Sequence, residues 1–468
     1  MGSRRAVALM LFSTLGVFAR DFTVDWRAAR PELLQYYRGL LRIDTSNPPG
    51  NETRAADYLR EVLDREHIPY QVFALSPHRA NLVARLKGNG SKRPILLMGH
   101  TDVVGVDRDK WHVDPFGAVL RGGWVLGRGT IDDKSHVAVS LMAMLLLHRM
   151  NVPLDRDVIF LAEAGEEGTS QWGIDFLVQQ HWDQIAAEYA LAEGGQVTMR
   201  GSTVRYVEIT TTEKLVRPVR LIARGTSGHG SQPRLDNPIV HLAAAVSRIG
   251  SWQAPVRLNA TTRAWFEGLQ KISSPEDAYR YAHLTDPEHA AAIQKYLAEH
   301  EVGNYALLRT SIAPTIIRGG FRANVIPSEA EATLDVRALP EEDLPQLWTE
   351  LRRIVADPNV ELKPVESATR PAAPPSRIDT EMFRALEHAQ KKLFPGSITL
   401  PAMATGATDL AQLRAKGVQG YGYGPPVDEM VGVAGGGPHS DDERLREDSL
   451  YQMAEFLWLA LTEVAASR

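Results

Sequence analysis

At 468 residues the chain is longer than one ordinary hydrophobic core organises, so two domains are expected. A hydrophobic content of 44% without a long low-complexity tract excludes a disordered chain, and a formal charge of −5 gives no basic footprint for nucleic acid. The absence of cysteine excludes a disulfide framework and thiol chemistry.

Arg4 and Arg5 precede an apolar run over residues 6–19, and Val17-Phe18-Ala19 offers a small residue before a cut near Arg20 or Asp21. This is the layout of a secretory signal peptide over residues 1–20, and it implies a secreted or periplasmic protein. The run falls short of the roughly 20 apolar residues of a comfortable span, although a retained anchor is the alternative.

From residue 21 to 211 strand and helix signals alternate, as in a doubly wound α/β sheet. Strands are expected over 81–86, 94–98 and 158–162, with a long apolar helix over 137–147. Candidate chemical groups follow these strands, where open α/β sheets place their ligands. His100 and Asp102 are two residues apart at a strand end, so both face one way and Asp102 is placed to orient the imidazole. Asp132 and Asp133 follow Gly127-Arg128-Gly129-Thr130 and open the long helix. They serve either as caps for its free N–H groups or, for one of them, as a carboxylate bridging two cations. Gly165-Glu166-Glu167-Gly168 presents two adjacent acids that repel each other unless a cation or proton intervenes. One metal ligand and one general base is the division of labour this suggests. Glu193 opens a Glu-Gly-Gly turn after another strand.

Between 212 and 370 the order is βαββαβ, the signature of a ferredoxin-like domain. The expected strands are 219–223, 310–317, 329–336 and 360–365, with helices over 237–249 and 342–355. A helical insertion over about 252–304 interrupts it. The proline-rich 370–375 segment reads as a stiff return linker, and residues 371–468 add a helix over 380–393, a glycine-rich stretch over 417–437, and a closing helix from Ser449. His439 lies in this last part, so the first and last segments should fold together around an inserted lid.

Gly99-His100-Thr101-Asp102-Val103-Val104, Trp111, Asp114-Pro115-Phe116, Gly127 to Lys134, Gly165 to Gly168, Glu193 and His439, in this order, resemble the M20 family of metallopeptidases and amidohydrolases, and within it the carboxypeptidase S and N-acyl amino acid hydrolase branch. The resemblance implies an α/β zinc-peptidase catalytic domain with an inserted lid and dimerisation domain. It implies two Zn²⁺, with Co²⁺ or Mn²⁺ as alternatives. One metal would sit on His100 and Glu193 and the other on Glu167 and His439, with Asp132 bridging, Glu166 as general base and Asp102 behind His100. Gly228-His229-Gly230 resembles the family segment whose histidine reaches a neighbouring subunit's active site, implying a homodimer. Asn324 and Arg337 resemble residues that hold the substrate carboxylate. Glutamate at position 193 goes, in this family, with substrates bearing a free carboxylate: a small peptide or an N-acyl amino acid. Aminopeptidase or dipeptidase action on the same fold is the nearer alternative, and a non-catalytic binding protein the more distant one. Ser135 and His136 stand where many relatives carry glycines, and Ala192 stands where aminoacylase-like members often have an acid.

Overall fold

The computed structural model describes residues 22–365 and 370–467; the signal-peptide reading of residues 1–20 lies outside the described residues. Among the described residues no helix is long and apolar enough to cross a membrane. The larger sheet has ten strands, and four at its centre run parallel in the order Val158–Glu163, Ile95–His100, Tyr189–Ala192, Gln419–Gly422. The first three are continuous runs of buried residues, as expected of strands covered on both faces. Lys134–Arg149, Glu381–Leu393 and Glu447–Ala465 pack into the core of one face. Ile174–Gln180 and Leu410–Ala415 pack into the core of the other. Gln419–Gly422 lies between Tyr189–Ala192 and Thr203–Glu213, so the C-terminal segment is built into the sheet laid down by the N-terminal one.

The inserted lid follows the βαββαβ order: Val219–Arg224, Pro238–Ser251, Ser311–Gly319, Glu329–Ala338, Leu344–Val355 and Val360–Pro364. Its first helix starts where Asn237 accepts the N–H of Ile239 and Pro238 takes the first turn, a position that needs no donor. Glu329–Ala338 alternates buried and accessible residues along the sheet, as a half-buried strand should. Leu221, Leu334, Leu242 and Leu351 close the lid's core.

The helical insertion comprises Ala260–Gln270, Pro275–Ala282, Ala290–His300 and Val302–Leu307. Although it interrupts the lid in sequence, it packs on the catalytic sheet. Trp265, Phe266 and Leu269 share a core with Leu400, Ala402 and Met403 of the Ile398–Ala404 strand. Truncating Leu400 to alanine there would cost about 2–5 kcal/mol.

Candidate metal centre

Each acid or imidazole of the centre lies where a strand or loop ends at the same edge of the sheet. His100 closes the Ile95–His100 strand, Glu193 follows Tyr189–Ala192, and Glu166 and Glu167 follow Val158–Glu163. Asp132 arrives from the loop before the Lys134–Arg149 helix, and His439 from the glycine-rich C-terminal loop. Gly99 permits the approach: a Cβ there would come within 2.9 Å of Asp133 Oδ2 and 3.0 Å of the Val137 amide nitrogen.

Asp132 divides its carboxylate between two groups. Its Oδ1 lies 2.8 Å from His100 Nε2, while its Oδ2 lies 3.1 Å from His439 Nε2. Glu193 Oε2 is 4.0 Å from His100 Nε2, and Glu167 Oε1 is 3.1 Å from His439 Nε2. His100, Asp132 and Glu193 therefore form one set of donors, and Asp132, Glu167 and His439 another, each with its donor atoms within 4.8 Å of one another. Two imidazole nitrogens and three carboxylates, one shared, are a donor set that fits a pair of first-row divalent cations.

The charges are mutually dependent. Burial, with the neighbouring Asp132 and Glu166 charges, pushes the Glu193 carboxyl well up. Hydrogen bonds that the His439 imidazole donates to Asp132 and Glu167 raise it to about 10. Burial opposes the charge on Asp132, but hydrogen bonds from His100 and His439 outweigh it and hold its carboxyl low.

Asp102 works chiefly on the neighbouring loop. Its Oδ1 accepts the N–H groups of Gly165 and Glu166 at 3.0 and 3.1 Å, and its Oδ2 accepts Glu167 N–H at 3.1 Å and the Asn47 amide at 2.8 Å. His100 Nδ1 is 3.0 Å from the Asp102 carbonyl oxygen and 3.5 Å from its carboxylate, so the backbone is the nearer acceptor. Gly165, at φ +85°, makes the turn that lets three successive amides converge on this carboxylate; a Cβ there would lie 2.7 Å from the Thr169 carbonyl. Asp133 holds the N-terminal cap position of the helix but makes no capping bond with its side chain. Its Oδ2 accepts His100 N–H at 3.1 Å and its Oδ1 pairs with His136. His136 lines the helix behind the centre, its Nε2 2.9 Å from the Tyr423 carbonyl.

Glu166 coordinates neither donor set. Arg370 Nη2 reaches its Oε1 at 2.5 Å, and Arg370 Nη1 pairs with Asp409. Burial pushes the Glu166 carboxyl up to about 8, although the Arg370 charge pulls it down. A carboxylate with this range can exchange a proton near neutral pH, as a general base and then acid must.

Glu166, Glu167, Asp132, Glu193 and His439 border a cavity of about 790 Å³ whose wall includes Arg337 and Arg370. Arg337 comes from the lid and is held by Asp335 at 2.9 and 3.0 Å. His229 and Asn324 do not border this cavity. Both are exposed, His229 on and Asn324 just before a two-stranded ribbon, Gly228–His229 against Val325–Ile326, whose Ile326 is buried; Gly230 N–H donates to the Asn324 carbonyl at 2.8 Å. His229 Nδ1 is 2.7 Å from Ser231 Oγ.

Three residues of the surroundings have no counterpart in the sequence reading. Arg370 stands there only as the first residue of a stiff linker. Asp409 carries no motif. Glu443, fully buried, pairs with Arg128 at 2.7 Å and accepts the N–H groups of Gly129, Ile131 and Asp132, fixing the loop that presents Asp132. The one signal for Glu443 is its place in the acidic run just after His439.

Residues 96–463 match the family model described as Peptidase family M20/M25/M40. The N-fatty-acyl-amino acid synthase/hydrolase PM20D1 of Homo sapiens is 29% identical over 406 residues, covering 83% of this chain and 79% of that one. The probable carboxypeptidase S-like 2 of Dictyostelium discoideum is 28% identical over 387 residues, covering 81% and 73%. Among solved structures, an M20 family metallo-carboxypeptidase of Sulfolobus solfataricus shares the fold at a TM-score of 0.66 and 19% identity, over 92% of this chain and 99% of that one. A dinuclear metal-binding M20 peptidase of Bacillus subtilis shares it at a TM-score of 0.57 and 16% identity, over 93% and 99%.

Proposed function

Because the chain belongs to peptidase family M20/M25/M40 and is therefore a hydrolase of peptide or amide bonds, we propose that it cleaves the amide next to a free carboxylate, as a carboxypeptidase or an N-acyl amino acid hydrolase working with two zinc ions. The observation that carries this reading is the division of Asp132 between two histidine–acid groups, beside a Glu166 that belongs to neither.

His100 and Glu193 would hold one cation, Glu167 and His439 the other, and Asp132 both. The cations, when bound, supply positive charge for the scissile carbonyl and bring the pKa of water down to about 7. Glu166 takes the proton that the attacking water gives up and returns it to the leaving amine. Arg370 keeps Glu166 in one orientation while this occurs. Asp102 fixes the Glu166 and Glu167 amides, so base and ligand hold their spacing as the proton moves. Arg337 meets the substrate carboxylate, for which a planar guanidinium is suited.

The exposed ribbon bearing His229 and Asn324 supports a homodimer in which His229 completes the partner's site. Leu235, fully exposed, and Phe321, 84% exposed, give that surface an apolar content that water does not favour. We place the mature protein outside the cytoplasm, on the residue 1–20 signal.

The test is hydrolysis by purified, metal-loaded enzyme of N-acyl amino acids and dipeptides, free or blocked at either end. Cleavage of N-acyl amino acids and C-terminally free peptides is expected. An absolute requirement for a free amino terminus, with amidated substrates cleaved equally, would replace this reading with aminopeptidase action.

A further inference from the structure

A second cavity, of about 640 Å³, lies between the helical insertion and the catalytic sheet and shares Glu193, Gly406 and Ala407 with the metal-centre cavity. A substrate reacting beside Glu193 thus has two directions in which to extend. Toward the lid it meets Arg337 and Arg370. Toward the insertion it meets Tyr206, Trp265, Leu307 and Met403, with Glu208 and Glu301 joining Glu193 as the charged side chains of the wall and, among the described residues, no Arg, Lys or His bordering it.

This wall is built. Trp265 packs edge-to-face on Tyr206 with ring centroids 5.6 Å apart, and its Nε1 donates to Asn304 Oδ1 at 3.0 Å. Asn304 Nδ2 and the Tyr281 hydroxyl donate to Glu301 at 2.6 and 2.7 Å. Glu208 is held by Thr198 Oγ1 at 2.9 Å and Gln196 Nε2 at 3.2 Å, and burial pushes its carboxyl up to about 7. An anionic group entering here would find Glu208 and Glu301 beside Glu193 and, among the described residues, no cationic side chain, whereas an alkyl or aryl group would find aromatic and aliphatic surface.

Resting on the reading of the centre as an amide hydrolase for carboxylate-bearing substrates, we propose that the insertion cavity is the subsite for the acyl side of the scissile bond, and that it takes a neutral alkyl or aryl acyl group in preference to an anionic one. The amino-acid carboxylate then lies on the arginine side and the acyl group on the side without cations. A volume of this size accommodates an octanoyl or phenylacetyl group.

The test uses metal-loaded enzyme and four substrates of one amino acid, bearing N-acetyl, N-octanoyl, N-phenylacetyl and N-succinyl groups. Octanoyl and phenylacetyl substrates are expected to exceed the succinyl one at least tenfold in kcat/KM. Gly303 borders the cavity, and a Cβ there meets nothing within 4 Å, so Gly303→Phe fills the space rather than the core. It should lower kcat/KM for the octanoyl substrate at least fivefold more than for the acetyl one. Should that variant not fold, octanoate but not succinate should compete with the acetyl substrate of the unaltered enzyme. Equal use of succinyl and octanoyl substrates, an equal loss for acetyl and octanoyl in Gly303→Phe, or no competition by octanoate would overturn the subsite alone. No cleavage of any N-acyl amino acid at full metal content would overturn the hydrolase reading and the subsite with it.

Discussion

Around Asp132, each acid meets partners brought from distant parts of the same chain: His100 and His439 on its own carboxylate, three loop amides on Asp102, and Arg370 on Glu166. Around His229 and Asn324 the partners are Ser231 and the adjoining backbone, and the rest is exposed. The first region is organised before substrate arrives, so its donor sets are assembled within one chain. The second presents His229 and Asn324 on a surface that no other described residue covers, and a second copy of the chain is the partner proposed for it.

The strongest way to test this contrast is to remove single groups from the organised region. Glu166→Gln should lower kcat by about 10²–10⁴-fold while elemental analysis finds metal content near normal, because the base is not a ligand. Retention of most activity would sink the assigned role. Asp132→Ala should instead empty both metal positions, whereas Glu193→Ala should vacate one, which titration calorimetry with Zn²⁺ resolves as a change in stoichiometry. If Asp132→Ala still binds two equivalents, Asp132 does not bridge.

The exposed ribbon makes the opposite prediction. Heterodimers of Glu166→Gln and His229→Ala subunits should recover activity that neither homodimer shows, since one site would then combine an intact base with an intact histidine. Verified heterodimers without recovered turnover would make His229 a surface residue or one that acts within its own chain. Arg337 stands between the two regions, lid-borne yet part of the cavity wall. Arg337→Ala should narrow the preference for free over amidated C-termini about ten- to a hundredfold, the value of a lost charge-assisted contact of roughly 1.5–3 kcal/mol.

The smallest expected effect concerns Glu208, whose folded carboxyl titrates near 7, above its ordinary value of 4.5. A raised pKa favours the fold while the group is protonated, and that contribution is lost as pH rises through about 7. Glu208→Gln should therefore be more stable than the parent at pH 8, by about 1 kcal/mol or more, and lose that advantage by pH 5. Thermal denaturation at the two pH values decides it.

The doubly wound sheet and the inserted lid were legible because apolar runs, a capped helix start and the βαββαβ order are local signals. His100, Glu166, Glu167 and Glu193 were legible as candidates because each ends or follows an apolar strand at one sheet edge, whereas Asp132 and His439 entered the donor set through the family resemblance. What could not be read was anything depending on a partner remote in sequence. Glu443 beneath the Asp132 loop and Arg370 on Glu166 both arise from chain crossings without a sequence period. The insertion shows the same limit, since Trp265 and Phe266 mark a buried helix face but not which sheet covers it.

Arg370 also gives the molecule a mechanical coupling. Its backbone carbonyl accepts a bond from Arg217, at the root of the lid, at 2.9 Å, while its guanidinium grips Glu166 and Asp409 in the catalytic domain. Arg370 thus joins the root of the lid to Glu166 through one side chain. A shift of Arg217 would therefore bear on Glu166 even with every donor around Asp132 in place.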